Sequence, residues 1–270
     1  FHKILLLLNS HLSNWSNFKK NFAEDIELQN DANKINILKK IIGPFIIRRL
    51  KTDKQIIRDL PTKSEIKDYC NLTKEQASLY QAIVDNSLKA IKDKNENRRA
   101  LILAALTKMK QVCNHPSNFL KDGSSGLSDR SGKVIRLREL INVFLRNNEK
   151  CLIFTQYREM GEMLKNDLEG YFDTPVCFLH GQQSRKQREQ IIDSFQSESN
   201  SSPKIFVLSL KAGGLGINLT KANHVIHFDR WWNPAVENQA TDRAYRIGQR
   251  KDVFVYKFIT SGTVEEKIDE

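Results

Sequence analysis

Cysteine is scarce in this sequence, and the cysteines do not cluster. The 270 residues contain Cys70, Cys113, Cys151 and Cys177, and no two of them form a Cys-x-x-Cys pair. This spacing excludes a disulfide-stapled scaffold and a ribbon-type zinc site, and it favours a reducing compartment. His115 lies close to Cys113, but two candidate ligands without partners do not make a metal site. We therefore interpret this pair as packing residues and predict no metal ligands.

Long apolar segments are also missing. The apolar run from Ile4 to Leu8 falls far short of the ~20 residues that a membrane-spanning helix needs. No small-residue cleavage site follows it, so we predict neither a signal peptide nor a membrane partner. Because the chain begins at Phe1 and stops at Glu270 just after a helical pattern opens, we interpret it as a fragment or a truncated gene product.

Positive charge is in excess and unevenly distributed. The chain has 43 Lys and Arg against 32 Asp and Glu, a formal net charge of +11. Residues 1–120 carry +9 of this charge and residues 121–270 only +2. The excess indicates a polyanionic partner, with nucleic acid as the first candidate, although a solvated lysine-rich surface explains it equally well.

A loop rich in glycine, serine and aspartate, residues 121–132, divides the chain. The part before the loop is predicted to be helical. Thr73 and Gln76 form a capping-box pattern, and apolar residues at helical spacing follow it. A second helix is predicted from Leu101 to Val112, ending near Pro116.

The part after the loop alternates short apolar runs with amphipathic helical patterns. Short, continuously apolar runs are typical of strands that are buried on both faces. Their alternation with helices predicts an α/β fold with a parallel sheet and right-handed crossovers. The predicted strands are 151–155, 176–180, 205–210, 225–229 and 253–259.

The segment QATDRAYRIGQ, residues 239–249, contains two arginines three residues apart. We predict a helix over 235–246, on which Arg243, Arg246 and the preceding Gln239 share a face. Two permanently charged guanidinium groups on one face suit a triphosphate. The alternative is a pair of surface arginines bound to Asp242 or Glu237.

Two further segments follow predicted strands. SLKAGGLGINLT, residues 209–220, is glycine-rich. Its glycines at 213, 214 and 216 allow positive φ and close approach of the backbone to phosphate. The alternative is an ordinary strand–helix turn, and the spacing does not fit a dinucleotide site.

DRWWNPAVEN, residues 229–238, places Asp229 at the crevice position where open α/β sheets bind ligands. Trp231 and Trp232 have the aromatic surface that stacks on nucleic acid. The alternative is a tryptophan pair that lies half in the core and half in an interface.

Together these segments resemble those of the Swi/Snf-type ATPases, the double-stranded-DNA translocases of helicase superfamily two. QATDRAYRIGQ resembles that family's motif VI and SLKAGGLGINLT its motif V. FTQYREM, residues 154–160, resembles motif IV, and FLHGQQSRKQREQIIDSF, residues 178–195, resembles the segment after it. FIIRRLKTDKQIIRDLPTK (45–63) and KQVCNHP (110–116) resemble the helical region between the motor lobes. The resemblance covers residues 35–270.

The resemblance implies a fold and a domain organisation. Such motors have two RecA-like lobes, with ATP and Mg²⁺ in the cleft between them and Mg²⁺ held mainly by the first lobe. Residues 121–270 would be the P-loop NTPase-like helicase C-terminal lobe. Residues 35–120 would be an all-helical insertion with a basic linker, and residues 1–34 a remnant or degraded end of the first lobe.

The resemblance also implies roles for individual residues. Arg243 and Arg246 would be arginine fingers that stabilise transition-state charge. The residues beside ATP would be Gly216, Asn218 and Gln239. The residues near DNA would be Gln156, His180, Lys211, Gly213 and Trp231. Contacts of this kind position a motor on the DNA backbone without reading its sequence.

The chain departs from the family pattern in its first part. It contains no GxxxxGK[ST] phosphate loop, and ILLLLNSHLSN, residues 4–14, lacks the Thr-Gly-Thr-Pro signature of the first lobe. We therefore expect this chain alone to be inactive as an ATPase. With a first lobe in cis, the full protein is expected to hydrolyse ATP, translocate on duplex DNA and remodel DNA-bound proteins.

Two alternatives stay open from the sequence. One is a strand-separating helicase of the same superfamily, and the other is a non-catalytic DNA-binding or regulatory module without a first lobe. The expected location is the nucleoid within the cytoplasm if the source is prokaryotic, and otherwise the nucleus.

The basic linker provides a test of the charge argument. Its densest run consists of Arg48, Arg49, Lys51, Lys54 and Arg58. If these residues bind DNA phosphates, reversing their charges should flatten the slope of log affinity against log salt concentration, because fewer counterions are released. Titrations of duplex DNA at several salt concentrations measure this slope. An unchanged slope would show that the run is only a solvated surface.

Overall fold

In a computed structural model of the protein, the described residues are 15–45, 60–93, 98–123, 127–199, 201–209 and 216–269. They form two compact units, one within 15–45 and the other within 60–269. The predicted DNA contacts Lys211 and Gly213 and the basic run 48–58 lie outside the described residues. Their assignments therefore stay predictions.

The first unit is helical. Asn30 adopts the left-handed conformation, with φ 53°, and ends one helix. Asp31 then begins the next helix, because its carboxylate accepts hydrogen bonds from the backbone N–H groups of Asn33 and Lys34 at 2.9 and 3.2 Å. The elements are α1 (Trp15–Phe18), a π-helical turn (Lys19–Ala23), α2 (Glu24–Gln29), α3 (Ala32–Ile42) and a 3₁₀ turn (Gly43–Phe45).

The second unit is built on a six-stranded sheet in which all paired strands are parallel. The strand order is β1-β6-β5-β2-β4-β3. The strands are β1 (Lys63–Cys70), β2 (Cys151–Thr155), β3 (Val176–Leu179), β4 (Ile205–Ser209), β5 (His224–His227) and β6 (Val253–Thr260). The predicted α/β fold with a parallel sheet is confirmed.

Helices lie between and after these strands. They are α4 (Lys74–Asp93), α5 (Arg98–Asn114), α6 (Pro116–Leu120), α7 (Gly132–Arg146), α8 (Arg158–Phe172), α9 (Arg185–Gln196), α10 (Pro234–Thr241) and α11 (Val264–Asp269). A 3₁₀ turn (Ser128–Arg130) precedes α7. Among the described residues, no helix combines the length and the apolar character needed to cross a bilayer.

The two faces of the sheet carry separate apolar clusters. All residues of β2 and β4 are buried, and successive side chains of a strand point to opposite faces. Ile153 accordingly packs in a first cluster with residues of α7 and α8, such as Leu137. Its neighbours Leu152 and Phe154 pack in a second cluster with Phe195 of α9. Because both faces of these strands are buried, their sequences are continuous apolar runs.

Strand β1 corrects the prediction that residues 35–120 are all helical. It pairs along its whole length with β6, from Lys63 opposite Val253 to Cys70 opposite Thr260. Most of its residues are exposed or half-buried, because β1 lies at the edge of the sheet. The sheet therefore takes one strand from the segment that precedes the predicted lobe.

The predicted capping box at Thr73 is confirmed and has a second role. Gln76 Oε1 accepts the backbone N–H of Thr73 at 3.2 Å, and Thr73 Oγ1 accepts that of Gln76 at 3.2 Å. Gln76 Nε2 also donates to the carbonyls of Val112 and Cys113 at 2.7 and 3.1 Å. The start of α4 is thereby attached to the end of α5.

Two helical glycines provide a matched test of this packing. A Cβ at Gly132, the first residue of α7, would lie 1.9 Å from the backbone oxygen of Asn71, whereas a Cβ at Gly170 in α8 would meet nothing within 4 Å. Gly132→Ala should lower the free energy of unfolding by about 1–3 kcal/mol, because backbone cannot move aside cheaply. Gly170→Ala should raise it by up to ~1 kcal/mol through helix propensity. Urea unfolding of both variants measures the difference, and equal stabilities would contradict the packing described.

Candidate functional site

The loops that carry the predicted site residues follow neighbouring strands. β2 pairs with both β4 and β5, and all three strands are parallel. Their carboxyl ends therefore meet at one edge of the sheet, where open α/β sheets bind ligands. Gln156 follows β2, Gly216 lies in the connection after β4, and Asp229 follows β5.

The arginine segment differs from its prediction. Helix α10 ends at Thr241, so Arg243 and Arg246 lie on a turn rather than on one face of a helix over 235–246. The carbonyl of Arg243 accepts the backbone N–H of Leu219 at 2.9 Å instead of an N–H further along a helix. A tertiary hydrogen bond thus competes with continuation of the helix.

The turn still brings the two arginines together near Gly216. Arg243 is 6% exposed, while Arg246 is exposed and donates from its guanidinium to the carbonyl of Gly216 at 3.3 Å. Burial lowers the pKa of Arg243, and the nearby charge of Arg246 lowers it further, with Asp242 opposing. An arginine side chain nevertheless stays charged. Glu237, one of the two acids proposed as ion partners, binds Arg230 instead at 3.1 Å.

The residues predicted beside ATP have accessible surfaces. Gly216, Asn218 and Gln239 are all exposed. Gly216 does not adopt the positive φ that the glycine pattern suggested, since the described glycines with positive φ are Gly123, Gly248 and Gly262. A Cβ at Gly216 would meet nothing within 4 Å. The space beside its backbone is therefore open to a ligand.

Asp229 is a buried anchor rather than a group that faces the crevice. It is fully buried, and it accepts hydrogen bonds from Thr155 Oγ1 at 2.7 Å, from Asn114 Nδ2 at 3.0 Å and from the backbone N–H of Gln156 at 3.0 Å. Burial raises the pKa of this carboxyl group. Its three protein donors fix the loop after β2, which corrects the expectation that Asp229 meets a ligand.

The predicted DNA contacts fall into two places. Gln156 Nε2 donates to the carbonyl of Arg230 at 2.5 Å, next to Trp231, so these residues are brought together. His180 follows the edge strand β3, two strands away from β2. The pKa of His180 is lowered by partial burial and by the charge of Arg158.

The two tryptophans have different environments. Trp231 is half-buried against the second apolar cluster, and its backbone N–H donates to Glu237 at 2.8 Å. Trp232 is 53% exposed, and the ammonium group of Lys110 lies 5.3 Å from its ring centroid. The DNA contact predicted for Trp231 and the alternative of a pair half in the core and half in an interface both stay predictions.

A buried polar cluster behind the site was not predicted from the sequence. Lys133 Nζ donates to Glu265 Oε1 at 2.7 Å and to Asn114 Oδ1 at 3.2 Å, and the side chains of Lys133 and Glu265 are 0% exposed. Lys110 is also buried and donates to the carbonyl of Arg230. The sequence nevertheless indicated that Lys133 is buried, because it precedes Leu137 by four residues and therefore lies on the apolar face of α7.

His227, on the interior strand β5, is buried and uncharged. Its Nε2 lies 2.9 Å from Thr241 Oγ1, and its ring stacks on Phe154 with centroids 5.7 Å apart. Burial lowers the pKa of His227 to about 3. This histidine links the central strand to the end of α10, immediately before the arginine turn.

Comparison with known families agrees with this geometry. The parallel sheet with helices on its faces matches the fold of solved SWI2/SNF2 ATPase domains, which are RecA-like lobes. The family described as "Helicase conserved C-terminal domain" matches residues 132–248, and the family described as "SNF2-related domain" matches residues 1–118. Both matches fit the motifs described above.

Curated relatives match nearly the whole chain. It is 47% identical to the "Putative ATP-dependent helicase/translocase YwqA" of Bacillus subtilis over 96% of this chain and 28% of that protein. It is 36% identical to the human "SWI/SNF-related matrix-associated actin-dependent regulator of chromatin subfamily A member 1" over 100% of this chain and 26% of that protein. The chain thus spans about a quarter of the length of these relatives.

Solved structures resemble both the fold and the sequence. The Sulfolobus solfataricus SWI2/SNF2 ATPase C-terminal domain is 48% identical, with a TM-score of 0.65 over 77% of this chain and 83% of that one. The core of the Sulfolobus enzyme in complex with double-stranded DNA is 48% identical, with a TM-score of 0.68 over 98% of this chain and 55% of that one. The chain belongs to the Swi/Snf-type ATPase family.

The low pKa of His227 predicts a pH dependence of stability. Unfolded His227 takes up a proton near pH 6.5, whereas folded His227 does so only at about 3. The stabilisation is therefore present above pH 6.5 and is lost as the pH falls toward 3, by up to ~1.4 kcal/mol per pH unit. His227→Gln removes this titration, so its unfolding free energy should fall less steeply between pH 6.5 and 4.5. Urea unfolding at several pH values compares the two slopes, and parallel curves would refute the buried neutral state.

Proposed function

We propose that this chain is the second motor lobe of an ATP-dependent double-stranded-DNA translocase that remodels protein–DNA complexes. The observation that carries the proposal is the contact between the arginine turn and the loop after β4. That contact places Arg246 at the surface, beside the open backbone of Gly216. In this family the two segments are motifs VI and V.

The arginines suit the role of charge donors to ATP. A triphosphate in reaction accumulates negative charge on several oxygens, and guanidinium groups stabilise it. Arg243 is largely desolvated, which strengthens its field at short range. Arg246 has a solvent-facing guanidinium that can reach outward from the lobe. ATP and Mg²⁺ would be held mainly by a first RecA-like lobe in cis, with Gly216, Asn218 and Gln239 of this chain facing the nucleotide.

DNA would bind along the same edge of the sheet. Gln156 and Trp231 lie on loops joined through the carbonyl of Arg230, so they would move as one body along the duplex. His180 would extend the contact toward the β3 edge, and Lys211 and Gly213 would complete it. The double-stranded-DNA complex of the Sulfolobus relative supports this choice of partner. The targets displaced by the motor would be DNA-bound proteins.

Measuring ATP hydrolysis and strand release on the same duplex DNA distinguishes the proposed translocase from two other functions. A strand-separating helicase would release a labelled strand from a duplex as ATP is consumed. The other alternative is a non-catalytic DNA-binding or regulatory module. It would leave the full-length protein without DNA-stimulated ATP hydrolysis. A translocase hydrolyses ATP on duplex DNA without separating its strands.

Arg246→Ala in the full-length protein tests the arginine role. DNA-stimulated ATP hydrolysis should fall roughly a thousandfold or more, because the loss of an arginine finger removes transition-state stabilisation. Duplex affinity, measured in parallel, should change less than about twofold, since Arg246 is not placed on the DNA. Arg146→Ala, an exposed arginine at the end of α7, is the matched control and should leave hydrolysis unchanged. Unchanged hydrolysis in Arg246→Ala would refute the assignment.

A further inference from the structure

Gln249, the last residue of the arginine segment, has a fully bonded side chain. It is 4% exposed. Its Nε2 donates to the carbonyls of Ala222 and Ala244 at 2.8 and 3.2 Å. Its Oε1 accepts the backbone N–H groups of Arg250 and Lys251 at 2.9 and 3.0 Å. A glutamine side chain has two donors and two acceptor positions, and all four are used here.

One of these bonds, from Nε2 to the carbonyl of Ala222, joins the arginine segment to the loop after Gly216, while the other three lie within the arginine segment and its exit. Ala244 lies between the two arginines in sequence, and Ala222 ends the loop that begins at Gly216. The carbonyl of Arg243 is bonded to Leu219 of the same loop. The backbone N–H of Gln249 also donates to the carbonyl of Arg246 at 2.9 Å, which closes the turn. Loop and turn are therefore cross-linked at Ala222 and at Leu219, in addition to the bond from Arg246 to Gly216.

The acceptor side of Gln249 fixes how the chain leaves the turn. Gly248 has φ +99°, a conformation that residues with a Cβ rarely adopt. Arg250 and Lys251 are then held by Gln249 Oε1 just before β6 begins at Val253. The turn is thereby attached to the sheet at its exit, as α10 attaches it at its entry.

We infer that Gln249 is a positioning residue that holds Arg243 and Arg246 at a set distance from the loop at Gly216. This inference rests on the proposed role of the arginines in ATP hydrolysis. Gln249 touches neither ATP nor DNA and acts through the carbonyl of Ala244. Displacement of a catalytic group by about 1 Å costs up to ~100-fold in rate, so the cross-link sets the rate of hydrolysis rather than the affinity for DNA.

Two substitutions remove the bonds that Gln249 donates to Ala222 and Ala244. Gln249→Glu keeps an acceptor for Arg250 and Lys251 but places a carboxylate oxygen against the carbonyls of Ala222 and Ala244. Gln249→Met keeps the approximate volume and removes all four side-chain bonds. In the full-length protein, both variants should lower kcat for DNA-stimulated ATP hydrolysis about 10- to 100-fold. KM for ATP and duplex affinity should change less than about threefold.

A stability control excludes a merely structural effect. Leu137→Ala removes a fully buried side chain of the first apolar cluster, away from the turn. Assays are run at a temperature where thermal unfolding shows every variant to be folded. Leu137→Ala should then keep its kcat even if its Tm falls as much as that of Gln249→Met. An equal loss of kcat in Leu137→Ala, or wild-type kcat in both Gln249 variants, would overturn the inference.

A double-mutant cycle distinguishes this inference from the proposed function. If Gln249 acts partly through Arg246, Gln249→Met should reduce kcat by a smaller factor in the Arg246→Ala background than in the wild-type background. Equal factors in the two backgrounds would refute the positioning role while leaving the arginine role intact. If Arg246→Ala alone leaves kcat unchanged, the proposed function itself fails.

Discussion

The carboxyl edge of the sheet depends on one buried ion pair, Lys133 with Glu265. An ion pair without solvent must be fully hydrogen-bonded, since an unpaired buried charge costs several kcal/mol. Asn114 supplies the additional bond to Lys133, and the backbone N–H of Thr260 donates to Glu265 at 2.9 Å. The pair therefore requires α5, α7, α11 and the end of β6 to be in place together.

The same cluster connects the helical segment to the loops of the site. The side-chain oxygen of Asn114, in α5, accepts a hydrogen bond from Lys133, and its side-chain nitrogen donates one to Asp229. Asp229 in turn accepts the backbone N–H of Gln156, at the start of the loop after β2. Lys110, one turn earlier on α5, reaches the carbonyl of Arg230. Any displacement of α5 relative to the sheet would leave polar groups of this cluster buried and unpaired. The end of α5 and the candidate DNA loops are therefore held in a fixed position relative to each other.

The sequence was informative where local patterns determine the structure and uninformative where distant contacts do. The strand over 151–155 and the capping box at Thr73 were predictable, because double burial and helix starts leave local signatures. Strand β1 was not predictable, because it lies at the edge of the sheet and its largely exposed, charged sequence lacks the apolar run of a buried strand. The end of α10 was not predictable either. The hydrogen bond from Leu219 to the carbonyl of Arg243, which competes with continuation of the helix, joins residues 24 positions apart. The motifs predicted Arg246 and Gly216 as site residues, but only the fold showed that they touch.

The net charge of this lobe does not show where its cationic groups are accessible to a phosphate. Residues 121–270 carry only +2. Lys133 and Arg230 are compensated by Glu265 and Glu237 within the protein. The arginine turn combines a buried Arg243 with an exposed Arg246. A cation in a low-dielectric environment acts more strongly on a nearby charge than a solvated surface lysine does. The local field therefore depends on where these charges lie and how far they are desolvated rather than on the net charge of the lobe.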